Sequence, residues 1–239
     1  MNDAGPVGGL LAAPPLGQFG TVSNSQCTIN SAASSAVGTG NLLTLTLNVT
    51  FKPSFAGNKV IYLAAGDLSG LNSGWRTSGY HEVPGEAITY PRSSTMNPAS
   101  LISAIGGGSA VLSFDYDDQL TSNNLQTAWA LINIAIDGRQ ACYVAYYAPA
   151  NALFLIPDSG DGSQATNIVL SGSNVIENSQ CRINAAGSSV TRVGTKLTLK
   201  LNYTFKTAFS GPKAVWTAVQ TLAAQTSPWK VTGALLLTK

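Results

Sequence analysis

The chain has 239 residues, room for one large domain or two small ones, of which 44% are apolar and only 10% charged, with a formal charge of +2. Its thirteen basic and eleven acidic residues are scattered, so it lacks the concentrated positive surface that nucleic acid or anionic lipid would require. Ser, Thr, Asn, Gly and Ala fill the place of the missing charges; all but alanine favour turns and extended chain over helix, which points to an all-β protein and away from a helical one.

In chain order, the opening MNDAGPVGGLLAAPPL carries Asp3 but no Lys or Arg, and Pro14 and Pro15 interrupt its apolar run, so it does not read as a secretory signal. No run approaches the roughly 18 apolar residues of a membrane span, and no membrane insertion is expected. After Asn24-Ser25-Gln26-Cys27, the stretch Leu43–Phe51 (LTLTLNVTF) alternates apolar and polar residues without exception, the period of a strand with one dry face. Pro84–Asn97, with Pro84, Gly85, Pro91 and a Ser-Ser-Thr run, reads as a linker. Beyond it Ala110–Tyr116 alternates again, and Trp129–Ile136, Ala141–Tyr147, Ala152–Ile156, Val175–Ile183, Lys213–Val219 and Trp229–Leu237 read as further strands. Between them lie turn clusters such as Asp137–Arg139, Asp158–Gly162 and Ser210–Pro212, while LISAIGGG (101–108) is too glycine-rich to last as a helix. Many short strands with frequent turns predict an antiparallel Ig-like β-sandwich.

The NSQC motif returns at Asn178–Cys181, so Cys181 follows Cys27 by 154 positions (181 minus 27). At that offset the chain aligns with itself without a gap from Asn24 to Gly79, and nearly half of the compared positions are identical. LTLTLNVTFKPSFAGNK (43–59) falls on LTLKLNYTFKTAFSGPK (197–213), and Trp75 falls on Trp229. The repeated part is the back half of a unit; the front half, roughly Ser94 to Leu170, occurs once. The expected organisation is therefore a partial, C-terminal-half unit at 1–83, a linker at 84–97 and a complete unit at 98–239. Cys142 lies in the single front half, so it is expected to pair with Cys181, leaving Cys27 as a free thiol. Three small buried apolar cysteines are the alternative.

N-S-Q-C, S-S, L-T-L, F-K-x-x-F-x-G and S-G-W, in that order, resemble a bacterial Ig-like or fibronectin-like repeat found in tandem in large secreted and surface proteins. In such repeats the front half supplies an A-C-Y strand, here Ala141–Tyr143, and an N-x-L-x-L strand, here Asn151–Leu155. The resemblance spans Ser94–Lys239 as a full unit and about Leu16–Val83 as a partial one. It implies a β-sandwich, an extracellular or cell-surface architectural role, and no catalysis. Ser73-Gly74-Trp75 becomes Ser227-Pro228-Trp229 in the second copy, a departure that leaves the turn there open.

The single histidine, His81, has Leu235 at its matched position, so a Ser-His-Asp device has little to build on, and three dispersed cysteines do not make a zinc site. Asp115, Asp117 and Asp118 in FDYDDQL offer oxygens for calcium, helped by Asp158 and Asp161, with turn formation as the plainer role; no other cofactor is expected. Trp129, Tyr143 and Tyr146, with Tyr147 and Trp216, offer a flat platform for a polysaccharide, with core packing as the alternative. Lys52 and Lys206, repeated in T-F-K, suit either an isopeptide bond to an asparagine or a strand-end lysine reaching solvent. Half a sandwich exposes an apolar sheet, so self-association or a neighbouring repeat is the expected partner, in the strongest form a fibre subunit completed by the next chain. A carbohydrate-binding module or an accessory domain of a secreted hydrolase is the competing function.

Overall fold

The computed structural model describes residues 3, 13–106 and 108–238; the rest of the opening segment weighed above as a signal lies outside them. Two compact units are present, 1–58 with 82–87 and 59–81 with 88–239. Among the described residues there is no α-helix.

In the larger unit the alternation read from the sequence becomes two facing sheets. One has the order β13-β14-β15-β8-β6, built from β6 (Arg92–Asn97), β8 (Ser109–Asp117), β13 (Val175–Glu177), β14 (Cys181–Val193) and β15 (Lys196–Phe205). The other has the order β12-β11-β10-β9-β16-β17-β7. Its strands are β7 (Ser100–Ala104), β9 (Leu125–Asn133), β10 (Cys142–Tyr147), β11 (Ala152–Leu155), β12 (Thr166–Val169), β16 (Gly211–Thr221) and β17 (Lys230–Thr238). All pairs are antiparallel except β17 with β7. Alternate residues of the two inner faces, among them Leu112, Phe114, Val144, Tyr146, Leu199 and Leu201, merge in one buried cluster, which makes this an Ig-like β-sandwich. Cys142 of one sheet is bonded to Cys181 of the other, with Cα atoms 5.6 Å apart and a sequence separation of 39. A link closing such a loop contributes about 3–4 kcal/mol in the chain-entropy view.

Three expectations change. Val175–Ile183 is two strands, because Asn178 accepts hydrogen bonds from the amides of Gln180 (2.9 Å) and Cys181 (3.0 Å) and folds NSQC into a turn between β13 and β14. The strand expected at Trp129–Ile136 begins earlier, at Leu125, and stops at Asn133, whose side-chain amide donates to the Asp137 and Arg139 carbonyls and holds a turn there. Residues 92–97 of the expected linker are strand β6, paired with β8, since Ser93 and Met96 are buried.

The smaller unit holds a three-stranded sheet of order β1-β2-β3, from β1 (Thr21–Ser23), β2 (Cys27–Thr39) and β3 (Leu42–Phe51). The remaining strands, β4 (Gly57–Leu63) and β5 (Arg76–Val83), form a two-stranded ribbon. Residues 59–81 of that ribbon belong to the larger unit, so the first copy of the repeat is divided between the two compact units. There Val60 and Tyr80 pack on a second cluster of Leu131, Ala141, Ala214, Trp216 and Val231.

Candidate functional site: the open sheet of the partial unit

The two copies share local geometry in detail. Asn24 accepts from the amides of Gln26 and Cys27, both at 2.9 Å, as Asn178 does 154 residues later. Both long strands slip register at the same place, between Asn30 and Ser35 and between Asn184 and Ser189. A serine fills each slip: Ser34 donates to the Asn30 carbonyl (2.7 Å) and accepts from the Asn48 amide (2.9 Å), while Ser188 serves Asn184 (2.6 Å) and Asn202 (2.9 Å). The hairpins β2–β3 and β14–β15 close through two residues with Gly40 (φ 59°) and Gly194 (φ 57°) in the left-handed region that glycine enters at least cost.

What differs is the cover. Leu197, Leu199 and Leu201 are at most 1% exposed, enclosed by β8 alongside and the seven-stranded sheet across. Their counterparts Leu43, Leu45 and Leu47 are 70%, 54% and 43% exposed. Among the described residues β3 pairs with β2 alone, whereas β15 lies between β14 and β8. Cys27 is opposite Phe51 in this sheet as Cys181 is opposite Phe205, and it is a free, half-buried thiol. Among the described residues the smaller unit thus combines an exposed apolar sheet face, a strand edge with no neighbour in its sheet and a thiol in the position of a disulfide half.

The other candidate residues fall elsewhere. Asp115 accepts from Thr95 (2.9 Å) and Thr198 (2.6 Å) and pairs with Lys196 (3.1 Å). Burial would raise its carboxyl, but the bonds from Thr198, Lys196 and Thr95 outweigh that and hold it below the ordinary value. Asp117 pairs with Arg92 at 3.6 Å, and Asp118 caps a turn by accepting from the amides of Leu120 and Thr121 and from Asn124. Asp161 caps the short turn at Ser163. Among the described residues no three His, Cys, Asp or Glu side chains converge, so the acids proposed for calcium are not brought together.

Tyr146 points into the core and donates to Asn151 (3.1 Å), so it is no part of a sugar platform, and Trp216 is buried as well. Trp129 and Tyr143 remain half-buried, grouped around Trp229 at centroid distances of 6.3 and 6.0 Å. Trp75, matched to Trp229, is exposed. Lys206 pairs with Glu177 at 3.3 Å and Lys52 donates to the Asn24 carbonyl, both contacts of a lysine at a strand end. The open face itself is legible in the alternation of Leu43–Phe51, but its exposure is not.

No family model and no curated protein matches the chain. A solved structure of murine CRIg is similar over 63% of this chain and 100% of its own, at 12% identity and a TM-score of 0.32. A likeness that low carries no argument about either fold or function. No helix among the described residues is long and apolar enough to cross a membrane.

Proposed function

We propose that this chain is a non-enzymatic structural module of an extracellular or cell-surface protein, one complete sandwich with half of another whose sheet is completed by a neighbouring repeat. The observation that carries the reading is the contrast between Leu43, Leu45 and Leu47, open to solvent, and Leu197, Leu199 and Leu201, sealed by strands of the front half. A contiguous apolar face beside an unpaired edge is an interaction surface or an aggregation hazard. The buried disulfide supports an oxidising compartment, since cytosolic thiols are kept reduced. The test is the solution size of the purified protein together with binding of a hydrophobic dye: self-association or dye binding that Leu45→Asp abolishes is expected. A monomer that binds no dye would remove the basis for an incomplete half.

The aromatic group of Trp129, Tyr143 and Trp229 favours a second reading, a carbohydrate-binding module. It requires polysaccharide binding that Trp129→Ala abolishes without loss of fold.

A further inference from the structure

The complete unit displays what the partial unit lacks. There β15 is joined on its far edge by β8, antiparallel, with Leu197 opposite Tyr116, Leu199 opposite Phe114 and Leu201 opposite Leu112. The NSQC turn also reaches the front half. Asn178 donates to the carbonyls of Ala141 (2.9 Å) and Ile156 (3.2 Å), Gln180 donates to Gln140 (3.0 Å), and Cys181 is bonded to Cys142. The back-half residues of these contacts are repeated in the first copy as Asn24, Gln26, Cys27, Leu43, Leu45 and Leu47. A surface that keeps the strand register, the turn and the thiol of an interface is built for the same kind of occupant.

A second copy of this chain does not meet the need by donating strands. Residues 1–239 contain the back half twice and the front half once. A front half given to a neighbour's partial unit uncovers its own β14 and β15, so each exchange leaves as many open faces as it closes. Within residues 1–239, strand donation between copies therefore closes no net face.

We propose, building on the structural reading above, that β3 receives an antiparallel strand with the chemistry of Ser109–Asp117. The strand comes from the front half of a repeat outside residues 1–239, and Cys27 forms a disulfide with the cysteine of that front half's A-C-Y strand. The register places Leu43, Leu45 and Leu47 opposite the residues that correspond to Tyr116, Phe114 and Leu112. The incoming strand differs from β8 in one respect. Lys196 and Lys200 stand opposite Asp117 and Ser113 of β8 in the complete unit, and their counterparts Leu42 and Thr46 are neutral. Asp115 has its ion pair with Lys196 and a hydrogen bond from Thr198, and only the threonine, as Thr44, is kept in the first copy. The edge of β3 therefore selects a neutral polar residue where β8 has an aspartate. The disulfide forms by two exchanges with a low-molecular-weight disulfide. The Cys27 thiolate attacks it and expels one thiolate; the incoming cysteine thiolate then attacks Cys27 Sγ and expels the second. Two protons and two electrons leave the cysteines, and the small disulfide becomes two thiols.

The test adds synthetic SAVLSFDYD, the sequence of Ser109–Asp117, to the full chain and follows amide exchange. One-to-one binding with slowed exchange in β3 and unchanged exchange in β15 is expected. The peptide with Thr in place of Asp115 is expected to bind several-fold tighter, and binding is expected to be lost when Leu112 and Phe114 of the peptide become Asp, or in the Leu45→Asp chain. In a glutathione redox buffer, the peptide ACYVAYY is expected to be captured at Cys27 in preference to a scrambled peptide, by mass spectrometry, and not by Cys27→Ser. If β3 is unprotected at saturating SAVLSFDYD while the chain alone still binds hydrophobic dye, the strand proposal falls and the open half stands. If β3 is already protected through a dimer or a Cys27–Cys27 link that SAVLSFDYD does not displace, the strand proposal falls and the open half stands; if it is protected in a monomer that binds no dye, both fall.

Discussion

Two residues of the larger unit carry a polar group at a cost in desolvation. Tyr203 is fully buried between Phe205, stacked at 5.5 Å, and Phe114, edge-on at 6.5 Å, and its hydroxyl has no hydrogen-bond partner among the described residues. The matched residue of the first copy is Val49, so the hydroxyl is no requirement of the strand. Tyr203→Phe keeps the ring and removes the desolvated group, and is expected to leave stability unchanged or raise it by about 1 kcal/mol in urea unfolding. Lys213 is buried, with its ammonium 4.7 Å from the centre of the Phe209 ring and donating to the Ser210 carbonyl at 2.7 Å. Burial, helped by the charge of Arg76, pushes its pKa down to about 8 from 10.5. Between those two values the unfolded chain binds more protons than the folded one, so stability rises with pH across that window and is lower by a constant amount beneath it. Lys213→Met is expected to stabilise by about 1–2 kcal/mol at pH 7, allowing for the solvent that still reaches the ammonium, and to flatten the alkaline rise in Tm.

At the scale of elements, β3 and β15 are a controlled comparison, two strands of ten residues with the same alternation and different cover. Leu199→Ala opens a cavity in a sealed core and is expected to cost about 2–5 kcal/mol. Leu45→Ala, on the open face, is expected to change the stability of the isolated chain by no more than about 0.5 kcal/mol. Paired denaturant titrations of the two variants measure the difference, and equal losses would mean that β3 is covered in solution. The same comparison explains which elements the sequence reveals. The alternations of Leu43–Phe51, Ala110–Tyr116 and Leu197–Phe205 announce strands with a dry side because side-chain direction is a local, period-two property. The strand β6, with Ser-Ser-Thr and its short length, carries no such signal and exists because β8 offers it an edge. The turn inside Val175–Ile183 depends on a single asparagine side chain folding back on two amides, which apolar periodicity does not register.

For the whole molecule, the two compact units differ in how much apolar surface they enclose, and local stability follows that quantity. Hydrogen exchange is expected to be slowest in β8, β9, β10 and β15, whose inner faces share one buried cluster and two of which lie beside the Cys142–Cys181 link. It is expected to be faster by orders of magnitude in β2 and β3; uniform protection across both units would contradict an open sheet. The residues by themselves determined the all-β class, the duplication of residues 24–79 at an offset of 154, the pairing of Cys142 with Cys181 and the free Cys27, since these follow from local periodicity and from the cysteine that the repeated segment does not carry. Only the tertiary structure decided that residues 92–97 join a sheet, that Tyr146 is buried while Trp129 and Tyr143 are half-buried, that the acids at 115, 117 and 118 are spent on separate partners, and that residues 59–81 belong to the larger unit. Those outcomes depend on which distant strand lies against a residue. The residue's own type and spacing record which way it faces, and leave what covers it to the rest of the chain.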